Sequence, residues 1–319
     1  WHGRLARAGD RLDACPTQTG TFDLVEAAAG NGRLSRDVLD HLAAHAPDVH
    51  RSIRLHLVER SPTARSSQRG VLGPHSDRLT TSAADVPEAI RGLIFANELL
   101  DALPPHLVVM RTGGLREVFV TASGDRLHTV EAEPSSSRLG AYLDHVRARL
   151  EPGWFAEVNL AAIDWIRRAA ERLQAGFLLL IDYGHEAPSL FSASRRGGTL
   201  TAYHRHTSEG RDDGPSWLAE PGERDITSHV DLTGVRLAAE AAGLTTLGII
   251  DQGYFLLGLG LADRLFESSD PSPRGLARRL ALKSLLLPAG LGSTHKVLVF
   301  ARGLGQPTLA GFSFARRLT

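Results

Sequence analysis

Thr21-Phe-Asp-Leu-Val-Glu26 is followed by Ala27-Ala-Ala-Gly-Asn-Gly32, and Leu34, Val38, Leu39 and Leu42 then recur at helical spacing. The first stretch reads as a short buried strand, the second as a small-residue loop, the third as one face of a helix. Strand, glycine loop and helix open a βαβ unit. Gly30 and Gly32 let backbone approach a ligand closely, and the N-terminus of the helix favours negative groups.

Working outward, Ile53–Glu59 is a second strand, and Ser61-Pro62 caps and starts a helix over 62–69. Gly92–Ala96 is a third strand. Residues 107–110 and 117–120 form an antiparallel excursion around Gly113-Gly114. A helix is expected over 139–150. Asn159 caps another, with Leu160, Ile163, Ile166, Ala170 and Leu173 on one face and Gly176 closing it. Phe177–Asp182 is a strongly apolar strand. Residues 184–224, rich in Gly, Pro, Ser and Arg, read as a long loop over an active site. A helix over 232–242 and strands over 244–251 and 295–301 follow, then a loose tail at 305–319. Gly253-Tyr-Phe255 is expected to pack the late strands, and Thr227 or Asp225 to cap a helix.

This alternation predicts an α/β fold with a mostly parallel sheet covered on both faces. The core would run over 1–110 and 159–304, the latter carrying the 184–224 loop, with an inserted segment at 111–158. Ligands of such sheets bind at the carboxyl ends of strands. Glu26, Glu59, Glu98 and Asp182 all sit at or just past strand ends.

The chain has 319 residues, 42% of them hydrophobic, and a formal net charge of zero from 36 basic and 36 acidic side chains. That suffices for a packed core and argues against a nucleic-acid binder acting by bulk electrostatics. Thirty-four of the cations are arginines, scattered along the chain. Cys15, the one cysteine, excludes an internal disulfide and a cysteine-rich metal site. No apolar run approaches the roughly 20 residues of a membrane span. His204 and His206 lack a matched third ligand, so no metal is assigned.

An acid placed like Glu59 can accept both ribose hydroxyls of a nucleoside. A dinucleotide fingerprint reads G-x-G-x-x-G and cradles a pyrophosphate. Here Glu26 precedes the loop and the third glycine is absent, which favours an amino-acid ammonium over pyrophosphate, and so S-adenosylmethionine.

Glu26-Ala-Ala-Ala-Gly-Asn-Gly-Arg-Leu34 resembles the first motif of class I S-adenosylmethionine-dependent methyltransferases. Leu57–Pro62 with Gln68, and Ala96-Asn-Glu-Leu-Leu-Asp-Ala-Leu-Pro104, resemble one branch, the MidA family. So do Asp182-Tyr-Gly184, Gly198–His206, Asp225-Ile-Thr-Ser-His-Val-Asp231, Gln252–Leu256 and His295-Lys-Val-Leu298. The matches run in order over about 21–303. The resemblance implies the class I Rossmann-like fold, with a seven-stranded sheet, helices on both faces and insertions. It also implies S-adenosylmethionine as cofactor, S-adenosylhomocysteine as product, and N-methylation of arginine in a protein or peptide. A peptide- or small-molecule-tailoring methyltransferase and a catalytically weak assembly factor are the other readings. The family usually has glycine at the position of Ala28 and proline at that of Ala29, and carries an N-terminal region ahead of this sequence.

The residues expected at the cofactor are Glu26, Ala28, Gly30, Gly32, Glu59, Arg60, Ala84, Asp85 and Asn97. Those expected at the reacting groups are Glu98, Asp101, Asp182 and His229. Glu98 and Asp101 would share one side of a helical turn and grip a guanidinium, which is not deprotonated near neutrality. His229 could relay a proton. The expected partner is a methyl acceptor, with neither nucleic acid nor a membrane span, and a homodimer stays open. The expected compartment is the cytoplasm of a bacterium or the mitochondrial matrix of a eukaryote.

Overall fold

A computed structural model describes residues 20–124, 126–203, 215–263, 271–287, 290–305 and 307–314. Cys15, His204 and His206 lie outside the described residues, as do 306 and 315–319 of the expected tail.

The chain opens with β1 (Phe22–Ala27), α1 (Arg33–His45), α2 (Pro47–Ser52), β2 (Ile53–Val58), α3 (Pro62–Leu72), β3 (Leu79–Ala83) and β4 (Ile90–Asn97). Ser61 caps α3, its hydroxyl accepting from the Ala64 amide at 3.3 Å. Next come β5 (His106–Arg111), β6 (Gly114–Ser123), β7 (Arg126–Ala132), α4 (Arg138–His145) and β8 (Phe155–Val158). Then follow α5 (Leu160–Arg172), β9 (Leu173–His185), α6 (Ala187–Leu190), β10 (Thr201–Tyr203), β11 (Asp225–Thr227) and β12 (Val230–Asp231). The described chain continues with α7 (Leu232–Ala241), β13 (Thr245–Asp251), α8 (Gln252–Gly258), α9 (Pro273–Leu286), α10 (Leu291–Thr294) and β14 (His295–Arg302).

The main sheet runs β3-β2-β1-β4-β9-β14-β13, with β12 paired to β9 beside that path. β14 alone on the path is reversed, antiparallel to both β9 and β13. Strand order turns back between β1 and β4: the chain moves outward to β3, then returns to lay β4 against the other side of β1. That switch point opens a crevice at the carboxyl ends of the strands. The glycine loop after β1 and the Asn97–Pro104 segment after β4 both enter it.

Successive side chains of a strand face opposite sides. Val25 and Ile94 therefore pack in the large core with Ile163, Ile166, Leu178 and Phe300. Their neighbours Leu24 and Phe95 pack on the other face, with Leu39, Leu55, Leu57 and Leu72. A second, antiparallel sheet of order β7-β6-β5-β8 carries the excursion and starts at His106.

Several local expectations change. Asn159 caps α5, its side chain accepting from the Ala162 amide at 2.8 Å, but the helix stops at Arg172. Leu173 and Gly176 belong to β9, so Gly176 closes no helix. The cap of α7 is Asp231, which accepts from the Gly234 amide at 3.1 Å, in place of Thr227 or Asp225. The 184–224 stretch holds α6, β10 and short 3-10 turns rather than an unbroken loop. Gly253-Tyr-Phe255 does pack the late strands as expected: it lies in α8, and Phe255 packs against Ile250 of β13, Val297 of β14 and Phe312.

Candidate active site

The loop after β1 is built on left-handed backbone: φ is 55° at Ala28, 51° at Gly30 and 83° at Gly32. Two hydrogen bonds fasten it, from the Ala29 amide to Val58 O at 3.0 Å and from the Gly32 amide to Ala29 O at 2.8 Å. Gln68, fully buried on α3, donates to Gly30 O at 2.8 Å and accepts from Ser82 Oγ at 2.6 Å. A Cβ on Gly30 would meet nothing within 4 Å, so the space above the loop is open.

Glu59 leaves β2 beside this loop. Its carboxylate accepts from the Gly30 amide at 3.0 Å and the Ser61 amide at 2.8 Å. It lines a cavity of about 400 Å³ together with Ala28, Arg60, Ala84, Asp85 and Trp165. Arg168 and Arg172 of α5 also face it. The sequence reading missed all three α5 residues, because Trp165 and the arginines lie off the apolar face by which the helix was recognised.

Glu26 is buried under the loop. Its Oε2 accepts from the Ser35 amide at 3.1 Å and from the Ser35 hydroxyl. Burial raises its pKa, and the Ser35 bonds pull the other way. Asn97 ends β4 and Glu98 follows it, Asn97 Nδ2 lying 3.5 Å from Glu98 Oε1.

Glu98 has φ 50°, a left-handed conformation a glutamate rarely adopts. Its amide donates to Ile181 O at 2.8 Å, and its half-exposed carboxylate lies 3.3 Å from His295 Nε2. That imidazole is the main cause holding the Glu98 carboxyl below its usual range. No helical turn forms here, so Glu98 and Asp101 do not share an open face as expected. Asp101 turns inward and accepts from Tyr183 Oη and Thr227 Oγ1, both at 2.8 Å, through Oδ2.

Asp182 is buried beneath them. Its Oδ2 accepts from the Leu100 amide at 2.8 Å and its Oδ1 from the Tyr183 amide at 2.9 Å. Burial, with Asp101 close by, pushes its pKa up to about 8. This buried carboxyl group thus fixes the turn that carries Glu98 and Asp101. His229 packs edge-on to Tyr183 at 5.6 Å and against His185 at 5.1 Å, and burial lowers its pKa. His295 reaches the same rim because β14 runs backwards. Its position was legible only as part of the His295–Leu298 match. Among the described residues, no cluster of three or more His, Cys, Asp or Glu side chains is placed to hold a metal.

A family model described as S-adenosyl-L-methionine-dependent methyltransferase matches residues 10–250. The chain belongs to this family. The methyltransferase is 28% identical to the protein of Drosophila melanogaster named "Protein arginine methyltransferase NDUFAF7 homolog, mitochondrial", over 92% of this chain and 71% of that one. The Caenorhabditis elegans protein of the same name is 27% identical, over 77% of this chain and 59% of its own length. Two crystal structures from Burkholderia thailandensis superpose at TM-scores of 0.81 and 0.76, each 29% identical over 92% of this chain. They are covered over 77% and 74% of their lengths, and the second is bound to S-adenosyl-homocysteine.

The enzyme is therefore an S-adenosylmethionine-dependent methyltransferase of class I topology. The residues present suit that cofactor: an open glycine loop, an acid at the end of β2 and a cavity of nucleoside size meet at the switch point. No helix among the described residues is long and apolar enough to cross a membrane.

Proposed function

We propose that the enzyme methylates an arginine nitrogen of a protein or peptide. The observation that carries this reading is the Glu98 carboxylate, half-exposed and held in left-handed backbone at the end of β4, at the mouth of the crevice. A non-glycine residue in that conformation costs of order 1–3 kcal/mol and persists only where its surroundings fix it. A fixed anion beside the methyl donor selects a cationic acceptor and orients one of its nitrogens. The names of the insect and nematode relatives support the same acceptor.

On this reading Glu59 takes the ribose hydroxyls. Arg60, Ala84 and Asp85 border the adenine. Glu26, Ala28, Gly30, Gly32 and Asn97 surround the amino-acid end. Asp101 and Asp182 act as positioning residues beneath Glu98, and His229 packs the acceptor side. The acceptor nitrogen approaches in line with the methyl carbon, and alignment supplies much of the rate.

The test is calorimetry with S-adenosylhomocysteine, followed by transfer of labelled methyl to arginine peptides. Glu59→Ala should weaken binding by about 1.5–3 kcal/mol, roughly tenfold to a hundredfold. Binding without transfer to any arginine peptide would overturn the acceptor assignment. Absence of binding would favour the assembly-factor reading.

A further inference from the structure

The helix α9 is apolar on two opposite sides, and only one of them is covered. It packs on α8 and α10, with Gly275 buried and Leu282, Leu285 and Leu286 half-buried. The other side faces outward. Leu276 is 51% and Leu280 57% exposed, one turn apart, and Leu287 at the helix end is 53% exposed. Ala277, Ala281 and Ser284 beside them are exposed as well. Six of the twelve exposed large apolar side chains among the described residues fall between Tyr254 and Leu291, on α8, α9, α10 and their ends. A helix apolar all round is ordinarily buried, and an exposed apolar area gathered in one place marks a contact surface.

Cations border the exposed stripe on both sides. At 3.6 residues per turn, Arg274 and Arg278 fall along one edge. Lys283 falls along the other, with the half-buried Arg279 behind it. The helix carries no acid, and the acids that precede it most closely in sequence, Glu267 and Asp270, lie outside the described residues. Among the described residues, no ion pair engages the side chains of Arg274, Arg278 or Lys283. A helix that merely faces water turns its charges outward and its leucines in. Here the leucines form the crest and the charges the shoulders. That profile suits a plane that is negative at its surface and apolar beneath. The leucines enter the acyl boundary, while the long cationic side chains reach up to phosphate oxygens. A second copy of the chain fits less well, because a two-fold contact through this face would set like charges against each other.

We infer that α9 docks the enzyme peripherally on an anionic phospholipid surface, with the helix axis in the plane of the headgroups. Leu291, in the same patch, stands four residues before His295 at the site rim. Four residues span at most about 14 Å, so docking holds the mouth of the crevice close to the lipid.

The test is co-sedimentation of the whole chain with phosphatidylcholine vesicles containing about one-third phosphatidylglycerol, beside vesicles of phosphatidylcholine alone. Partition into the anionic vesicles should exceed that into the neutral ones by about tenfold or more. It should collapse in about 1 M salt, where screening acts within ~3 Å. Arg274→Glu with Arg278→Glu should lower partition about tenfold or more, and Leu276→Gln with Leu280→Gln by a similar factor. S-adenosylhomocysteine binding should stay as in the wild type in both variants, which shows that they fold, since none of these residues lines the cofactor cavity. Equal partition into the two kinds of vesicle overturns the proposal, as do leucine variants that partition like the wild type. A face that belongs to protein would also overturn it. Self-association lost in the leucine variants, without vesicle binding, would assign the face to a second copy. Binding of soluble polyglutamate in place of vesicles would assign it to an acidic protein.

Discussion

Replacing Ala28 with glycine should stabilise this enzyme, against the usual direction of such a change. At φ 55° the alanine methyl crowds the backbone, at about 1–2 kcal/mol for a left-handed residue with a Cβ. Glycine releases that strain but adds freedom to the unfolded chain, about 0.4–1 kcal/mol in the opposite sense. The Ala28 methyl is exposed to the cavity, so no packing is lost. The net is about 0.5–1 kcal/mol, or roughly 1–3 °C in Tm for a chain of this size. Two neighbours calibrate the estimate. Gly30→Ala adds left-handed strain in open space and should cost about 1 kcal/mol. Gly32→Ala adds the same strain with its Cβ 2.9 Å from Leu57 Cδ1, a fully buried side chain, so a further ~1–3 kcal/mol is expected. Thermal melts of the three variants, with and without S-adenosylhomocysteine, give the order directly. A lower Tm for Ala28→Gly, or equal losses for the two alanine variants, would refute the reasoning from φ and contact distance.

Asp182 makes stability fall with rising pH. Its folded pKa of about 8 lies above that of the unfolded chain, so the folded state holds the extra proton between about pH 4 and 8 and this contribution is lost across that window. Asp182→Asn should flatten the slope in denaturant titrations between pH 5 and 8; an unchanged slope would place the proton elsewhere. Gln68→Leu strands Gly30 O and Ser82 Oγ, and should weaken S-adenosylhomocysteine binding about tenfold by calorimetry. Unchanged affinity would mean the loop holds its shape without that bridge.

The sequence discloses most where burial is one-sided or complete. β1, β4 and the apolar stretch of β9 stand out because their side chains meet core on both faces. β3 was missed because Leu79-Thr-Thr-Ser-Ala83 is a half-exposed edge strand, and β7 because nearly every residue in it is exposed. β8 is four residues long, too short to show a period. Gly176 misled as a helix stop because α5 passes into β9 with no loop between them. For the site, the acids at strand ends were legible from the rule that ligands gather there. Their directions were not: Glu98 opens outward while Asp101 turns under Tyr183. His295 was unreadable as a rim residue without the reversed direction of its strand.

That reversed strand also fixes when a newly made chain can gain its site. β14 sits between β9 and β13, yet among the described strands it comes last in the chain. Its partner β9 is finished at His185, more than a hundred residues earlier. During synthesis the parallel half of the sheet can gather around β1 while the β9 edge waits, unpaired and apolar, for a strand not yet made. Such an edge invites wrong pairing. Closure by β14 brings His295 to Glu98 in the same event that covers the edge. Folding of this half and the meeting of His295 with Glu98 are therefore one step on the ribosome's clock, and a stalled chain released before that step would carry an unpaired apolar edge prone to aggregate.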